Sequence, residues 1–364
     1  MARDFCPVGV PLIRLAGLEE GVALLNGCDY LDPDTVTRRW EHFRLRKGDV
    51  LLSTSASLGR VAVVDDFAVG AIPYTGIIGF RPRDDRVLRS FIPYALASPS
   101  FKRQIEAMGV GSVMRHFGPM HLRQMTLDLP PVSTQRAIAE VLGALADKIG
   151  ANQRLVKVLS NLGAAVFASV DKRAASVTEV AQVLMGQSPP GSTYNEVSDG
   201  LPFYQGIRDF GTRYPSRRVW CSSPSRIAEA GDVLVSVRAP VGTLNVAVER
   251  CAIGRGVASL RSTSTPSVLY HAMAAASSGW APFQAEGTVF GSIAGDQLRQ
   301  FQIEWPVGKV LTRLEDTLAV LDRTLAASEH ESQALVGVRD VLLPRLLSGG
   351  IGVSAGGADA EGSV

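Results

Sequence analysis

The 364 residues of the chain are enough for roughly two to three domains that each bury a core of their own. A hydrophobic share of 46% and a mean hydropathy of +0.13 are typical of a globular protein, and the lack of a long apolar run and of a signal-peptide pattern makes the cytoplasm the expected location. The net charge of +2 is too small to indicate a nucleic-acid partner, and 31 arginines against 6 lysines fit base and phosphate contacts and a GC-rich genome equally well.

The first segment, residues 1–131, alternates short apolar runs with Gly, Pro and Asp turns. The runs VLLST, VAVV and IIGF indicate strands and FIPYALASPSFKRQIEAMG indicates helices, so we predict an α+β domain. Within it, GDVLLSTSASLGRVAVV at 48–64 predicts a buried strand that is entered through a Gly-Asp turn.

The pattern becomes helical over residues 132–172. Apolar residues recur there at spacings of three and four, namely Ile138, Leu142, Leu145, Ile149, Val156, Leu159 and Val166. This spacing predicts a long helix of a two-helix coiled coil rather than a surface helix of a globular domain. Ser133, which follows Pro131, is the expected N-cap.

The second half of the chain repeats the first. The phrase GDVLVSVRAPVGTLNVA at 231–247 copies 48–64 with an offset of 183 residues. Further along, Leu122 and Leu298 lie in matching phrases that keep an offset of 176. The chain is therefore an internal duplication.

The duplication sets the expected domain order after the first helix. A second α+β domain covers 173–307, a second spacer helix covers 308–348, and a Gly- and Ala-rich tail, 349–364, is expected to be disordered. The second helix repeats the apolar pattern at Leu311, Leu314, Leu318, Leu321, Leu325, Leu335 and Leu342. The predicted fold class is thus α+β, with two similar mixed domains separated by two long antiparallel helices.

Motifs of DNA- and nucleotide-processing enzymes are missing from the sequence. No GxxxxGK[ST] loop is present, GRGVAS at 254–259 fails the GxGxxG pattern, and SPPG at 188–191 lacks the amide and the aromatic ring of an amino-methyltransferase NPPY site. The five histidines form no HExxH motif, and the four cysteines form no CxxC pair. We therefore expect a binding protein with no catalytic and no metal-binding residue.

Three phrases, in this order along the chain, resemble the specificity (S) subunits of type I restriction-modification systems, the HsdS family. They are DLPPVSTQRAIAEVLGALADKI, VTEVAQVLMGQSPPGSTYNEVSDGLPFYQGIRDF and the ending LLPRLLSGG. The resemblance implies two target-recognition domains that each read half of a split, asymmetric DNA site, on a helix pair that docks two methyltransferase subunits beside restriction subunits. S-adenosylmethionine, ATP and Mg²⁺ are then expected only in those partner subunits, and the chain itself is expected to have no enzyme activity.

The chain departs from the family pattern at two places. Thr134 precedes Gln135 where the family usually carries an acid, which we expect to weaken a cap rather than a function. The segment 10–18 lines up with the second half from Leu201, so the first half lacks a counterpart of VTEVAQVLMGQSPPGSTY. The first domain is thus either complete without that segment or truncated.

Polar residues after the repeated strand and in nearby loops are the candidates for DNA contact. They are Ser53, Ser55, Arg60, Arg115, Arg208, Ser236, Arg238 and Arg255. The alternative is that these residues only finish a strand or a turn. Asn152 and Ser328 occupy matching core positions of the two helices, where they either fix the register of the pair or face solvent. A stand-alone DNA-binding regulator and a non-DNA protein scaffold remain the competing functions.

Overall fold

The chain forms two compact units, Met1–Ala151 with Glu331–Val364, and Asn152–His330. The first unit is therefore built from two separate stretches of the chain. The computed structural model describes residues 5–19, 21–25, 27–108, 116–284 and 291–353. Within these ranges, no helix has both the length and the apolar character needed to cross a membrane.

Two mixed sheets form the framework of the first unit. Its elements, with the first long helix, are β1 (Phe5–Cys6), β2 (Val10–Ile13), β3 (Leu18–Glu19), β4 (Gly21–Ala23), β5 (Asp29–Leu31), α1 (Pro33–Arg39), β6 (Val50–Ser53), β7 (Val61–Val63), β8 (Ile72–Pro73), β9 (Ile77–Phe80), α2 (Ile92–Leu96), α3 (Pro99–Met108), α4 (Pro119–Leu122) and α5 (Val132–Ala168). The strand orders are β1-β5-β2-β8 and β3-β4-β7-β6-β9. Side chains of β6 alternate between two core layers: Leu51 packs with Ile13 and Ala62, whereas Val50 and Leu52 pack with the helices α2 and α3.

The second unit repeats this framework with additions at its edges. Its elements, with the second long helix, are β10 (Lys172–Ser176), α6 (Val177–Val180), β11 (Gln182–Met185), β12 (Tyr194–Asn195), β13 (Leu201–Tyr204), β14 (Trp220–Cys221), β15 (Ile227–Ala228), β16 (Val233–Ser236), β17 (Leu244–Val246), β18 (Cys251–Ile253), β19 (Val257–Arg261), α7 (Pro266–Ala275), α8 (Gly295–Gln300), β20 (Gln302–Pro306) and α9 (Val310–Leu347). The strand orders are β12-β14-β13-β18-β15, β11-β19-β16-β17 and β10-β20.

The repeated Gly-Asp phrase builds the same turn and ion pair in both units. Gly48 and Gly231 have φ angles of +80° and +88°, in a region that favours glycine over other residues. Asp49 pairs with Arg81, and Asp232 pairs with Arg261 through two nitrogen–oxygen distances of 2.8 Å. Both following strands, β6 and β16, are buried along their whole length. The predicted buried strands are therefore confirmed.

The predicted fold class is confirmed, with a long helix after each mixed domain. In the first unit, Ile138 and Leu142 of α5 share a core with Leu346 near the end of α9. In the second unit, Phe167 near the end of α5 shares a core with Leu314 near the start of α9. The helix segments within each unit are therefore antiparallel.

Two predictions about the helix ends are wrong. Helix α5 begins at Val132, so Ser133 lies inside its first turn and is not the residue that precedes the helix. The tail assigned to disorder from 349 onward is placed as far as Val353, and Ile351 and Val353 pack against the core that contains Leu346. An apolar residue on each side of Gly352 supplies that contact. The rest of the predicted tail, 354–364, lies outside the described residues.

The segment that only the second half carries supplies helix α6 and strand β11, and strand β10 lies just before it. β10 pairs with β20, and β11 pairs with β19 at an edge of the central sheet. β9, the counterpart of β19, pairs with β6 on one side, and no strand in the described ranges pairs with its other side. The two central sheets therefore share three strands and differ at their edges.

Candidate nucleic-acid interface

Ser53 and Ser236 occupy equivalent positions at the ends of β6 and β16, and neither side chain is available to DNA. They are 0% and 1% exposed. The Ser236 hydroxyl donates to the carbonyl oxygen of Pro240 (2.6 Å) and accepts from the amide of Thr243 (2.9 Å), and the Ser53 hydroxyl makes the same two kinds of bond within 57–60. Since these bonds close the turn after each strand, the predicted DNA contacts are wrong for both serines.

Ser55 and Arg238 are also equivalent in the fold, but they present different chemistry. Ser55 forms an isolated β-bridge with His116, and Arg238 forms one with Ser292. Ser55 is half-buried, whereas Arg238 is exposed. The same backbone pairing thus presents a hydroxyl in one domain and a guanidinium group in the other.

Three arginines line one cleft in the second unit, which we call the arginine cleft. It has a volume of about 290 Å³ and lies where the chain leaves β13 and β16 and enters β19. Its lining residues are Gln205, Gly206, Ile207, Arg208, Asp209, Arg218, Arg238, Ala239 and Gly256. The structure therefore brings together two predicted residues, Arg208 and Arg238, and adds Arg218, which the sequence pattern did not indicate.

A buried carboxylate and a close backbone approach shape the arginine cleft. Asp209 is 2% exposed, and its Oδ1 accepts from Nη2 (2.7 Å) and Nε (3.1 Å) of Arg218. Its Oδ2 accepts from the amide of Gln205 (2.7 Å). A Cβ atom at Gly256 would lie 2.2 Å from the carbonyl oxygen of Gln205, so only glycine allows this approach. The walls of the cleft are thus held by protein contacts before any ligand binds.

The arginine cleft carries uncompensated positive charge. Arg218 is balanced by Asp209, but the exposed side chains of Arg208 and Arg238 form no hydrogen bond or ion pair with the described part of the chain. A guanidinium group only donates hydrogen bonds, and its planar fork fits phosphate oxygens or the O6 and N7 atoms of guanine. The cleft is therefore suited to an anionic or acceptor-rich ligand such as nucleic acid.

The remaining predicted arginines lie apart from one another. Arg255 is exposed on the turn just before Gly256, and its amide lies 3.4 Å from the hydroxyl oxygen of Ser188. Arg60 is exposed in the first unit. Arg115 lies outside the described residues. Arg255 thus adjoins the arginine cleft, whereas Arg60 belongs to the other domain.

The loop 205–219, called the arginine loop below, is anchored at its middle by the neighbouring strand. Asn245 of β17 is fully buried, and its side chain accepts from the amide of Gly211 (3.1 Å) and donates to the carbonyl oxygen of the same residue (3.0 Å). The amide of Val246 donates to the carbonyl oxygen of Arg213 (2.9 Å). Asn245 was missed at the sequence level, although a lone amide inside the apolar run LNVAV is a signal of a buried polar contact.

A tyrosine of the arginine loop also contacts the long helix of the same unit. The Tyr214 hydroxyl donates to the main-chain oxygen of Asp322 in α9 (3.3 Å). Burial raises the pKa of Tyr214 to about 12, so this hydroxyl keeps its proton at neutral pH. The loop is therefore attached both to the sheet and to a spacer helix.

The two residues predicted to set the helix register are both buried. Asn152 is 3% exposed and Ser328 is 7% exposed. The Ser328 hydroxyl donates to the carbonyl oxygen of Thr324 (3.0 Å), one turn earlier in α9. Burial places them in the interior of the second unit, and their role in register stays a prediction.

No group of three or more His, Cys, Asp and Glu side chains that could hold a metal ion occurs among the residues described. The four cysteines are free thiols, of which Cys221 and Cys251 are buried. Burial raises the pKa of the Cys251 thiol to about 12.

Comparison with known proteins gives three findings that bear on the class. The type I restriction modification DNA specificity domain matches residues 35–161. The putative type I restriction enzyme MjaX specificity subunit of Methanocaldococcus jannaschii is 23% identical over 95% of this chain and 88% of its own length. The crystal structure of a type I restriction-modification S subunit from M. genitalium is 15% identical, covers 95% of this chain and 91% of its own, and has a TM-score of 0.61, which shows a shared fold.

A further solved structure, that of the HsdS subunit from Thermoanaerobacter tengcongensis, is 25% identical over 96% of this chain and 95% of its own, with a TM-score of 0.38. The architecture is thus a duplicated mixed domain with two long helices, and the second unit carries a cleft lined by arginines. The chain is thus similar over nearly its whole length to specificity subunits of type I restriction-modification systems, and a DNA specificity domain matches part of its first half.

Proposed function

We propose that this chain is the DNA-reading subunit of a type I restriction-modification complex and binds a bipartite, asymmetric duplex target. Each mixed domain reads one half-site, and the two long helices separate the domains. The observation that carries this proposal is the arginine cleft, in which Arg208 and Arg238 have no anionic partner in the described part of the chain. Such groups bind phosphate or guanine edges, and DNA supplies both.

The asymmetry of the target follows from equivalent positions with different side chains. Where the second domain presents Arg238, the first presents Ser55. Arginine favours guanine, whereas a serine hydroxyl can donate to or accept from either purine or pyrimidine edges. Two domains with one framework and different contact residues should therefore read different half-sites.

The chemistry of the complex lies in partner subunits in this proposal. Methyl transfer from S-adenosylmethionine belongs to two methyltransferase subunits, and ATP- and Mg²⁺-dependent restriction belongs to restriction subunits. Exposed apolar residues on the long helices support docking: Val158 and Leu162 of α5 are 61% and 46% exposed, and Val338 and Val341 of α9 are 46% and 54% exposed. Leu162 and Val338 are related by the 176-residue offset of the duplication, which fits two copies of one partner.

Selection from a random duplex library by the full chain, reconstituted with its methyltransferase, tests the proposal. We expect enrichment of two unlike half-sites separated by a fixed unread gap. Binding should weaken steeply with salt, because each neutralised phosphate releases counterions. Enrichment of a single continuous site would indicate a stand-alone regulator, and salt-insensitive association without sequence enrichment would indicate a protein scaffold. Either result would overturn the proposal.

A further inference from the structure

A buried cluster of charged and aromatic side chains ties the arginine loop to helix α9. Arg213, which is 4% exposed, lies 2.5 Å through Nη2 from Oδ1 of Asp322 in α9. His271 of α7 reaches the same oxygen through Nε2 at 3.4 Å. The guanidinium carbon of Arg213 lies 3.6 Å from the centre of the Tyr270 ring, a cation–π contact. We call these four residues the joint cluster.

The joint cluster also holds helix α7 between the two long helices. The imidazole of His271 packs on Gly163 of α5, where a Cβ atom would lie 2.5 Å from the ring. Seven residues before Asp322, Glu315 of α9 accepts from the amides of Ser267 (3.1 Å) and Val268 (2.8 Å) in the first turn of α7. Two carboxylates on one face of α9, which lie two helical turns apart, thus each bind residues of the second domain.

The ion pair between Arg213 and Asp322 at the centre of the joint cluster is costly to break. Burial alone would raise the pKa of Asp322, but the hydrogen bond from His271 and the charge of Arg213 outweigh it and hold that pKa below its usual value. Asp322 is therefore ionised at neutral pH. Removing one member of a buried ion pair leaves the other charge without compensation, so the geometry is strongly favoured over displaced arrangements.

The framework shared by the two domains does not require this cluster. The positions of α5 that match Glu315 and Asp322 at the 176-residue offset are Ala139 and Ala146. The first domain instead uses Gln135, which accepts from the amide of Leu88 (2.9 Å). Since the first domain is held to its helix at this place by an uncharged side chain, the charged cluster serves a need particular to the domain with the arginine loop.

We propose that Arg213, His271 and Asp322 are positioning residues, which lock the arginine loop to α9 and thereby set the register of the second half-site relative to the gap. This inference rests on the proposed function. The loop carries Arg208 and Arg218 of the arginine cleft on either side of Arg213. A displacement at Arg213 therefore moves both cleft arginines together, while the residues that contact bases stay the same.

The test compares Asp322→Asn with Arg217→Ala in the full chain. Arg217 lies in the same loop, and its exposed side chain pairs with the half-buried Glu249, so its removal changes the loop's charge without breaking the joint cluster. Hydrogen exchange of the DNA-free chain should show amides of 205–219 opening about tenfold faster or more in Asp322→Asn only. Library selection with the methyltransferase should then return the wild-type half-sites with a broadened distribution of gap lengths.

A second variant controls for the possibility that Asp322→Asn misfolds. Arg213→Met with Asp322→Leu removes both charges and keeps apolar volume, so the unit should fold. Its loop should still exchange faster and its gap distribution should still broaden, because a directional contact is lost. Unchanged exchange in both variants, or fast exchange with a gap as sharp as in wild type, would overturn the positioning role. If wild type itself enriched no sequence, the proposed function would fail with the register claim, and the exchange data would still report the anchoring.

Discussion

Two segments of equal length, 14–28 and 205–219, follow equivalent strands in the two domains and adopt different structures. The first forms the hairpin β3–β4, which adds an edge to the central sheet beside β7. The second forms no strand and, apart from the short 3-10 helix Ile207–Asp209, is an irregular loop that lines the arginine cleft. The framework therefore accommodates either a sheet extension or a cleft-lining loop at the same place.

The backbone contact between this segment and the neighbouring strand is the same in both domains, and the two segments differ in their side chains. Val22 pairs with Val63 in the first domain, and Arg213 accepts from the amide of Val246 at the matching position in the second. Leu18 of the first segment is 1% exposed and packs into the core, whereas the second segment has arginines on both sides of its anchor. Apolar residues of the first segment thus contribute to the core, whereas arginines of the second segment line the arginine cleft.

The largest effect that separates the two segments is expected from Leu18→Ala. Leu18 packs in the same core cluster as Ile13 and Leu45, so its truncation should destabilise the first unit by about 2–5 kcal/mol. Ile207→Ala in the arginine loop removes an apolar group that is 39% exposed, and it should cost under about 1 kcal/mol. Urea unfolding followed by hydrogen exchange in each unit measures both. Similar losses would show that the arginine loop is as much a part of the core as the hairpin.

Arg238→Ala should relax recognition of one half-site only. Loss of a bidentate contact to guanine costs about 1–3 kcal/mol, which is roughly a 5- to 150-fold loss of preference. Ser55→Ala is the matched variant, because Ser55 stands at the same bridge position in the first domain. Library selection should show the second half-site relaxed by the first variant and left intact by the second. Equal relaxation of both half-sites by Arg238→Ala would contradict the assignment of one domain to one half-site.

Local patterns in the sequence were sufficient to predict the framework. Helical periodicity predicted the α5 and α9 pair, and the repeated Gly-Asp phrase predicted β6 and β16. The rule that polar residues after a buried strand are candidate contacts indicated Arg238, whose side chain is exposed, but it also included Ser236, whose hydroxyl is bonded within a turn that the pattern does not show. Whether such a side chain is free to bind a ligand depends on whether backbone groups of the following turn bond its hydroxyl.

Contacts between distant parts of the chain were beyond prediction from local patterns. Arg213 and Asp322 are 109 residues apart, and neither lies in a motif. Asp209 and Arg218 lie within one loop, but no helical or strand period sets their distance, and the loop takes its shape from contacts with distant residues such as Asn245. The cleft arises from tertiary packing, which the periodicity of a single element does not encode.

A smaller change in stability is expected from replacing the buried polar residues of the long helices in the second unit. Leucine at both Asn152 and Ser328 should leave stability unchanged or raise it by about 1 kcal/mol, because apolar side chains pack well at core positions. It should also loosen the helix alignment, since a polar pair at a core position specifies register at a cost in stability. Spin labels at the exposed positions Lys157 and Arg323 would show a broader distance distribution in the double variant. An unchanged distribution would mean that other contacts set the alignment.

The smallest effect concerns Glu315, the carboxylate that stands where the first domain has no charge. Burial raises its pKa and outweighs the two amides of α7 that lower it. A carboxyl group with a raised folded pKa contributes stability that is fully present below its unfolded pKa of about 4.3 and is lost as the pH rises through the folded value. The stability of wild type relative to Glu315→Gln should therefore fall as the pH rises from about 4 towards neutrality. Glu304→Gln, at an exposed position of β20, is the control for the change of charge. Thermal unfolding across this range decides between the two forces: an advantage of wild type that grew with pH would mean that the amides at the start of α7 stabilise the anion more than burial penalises it.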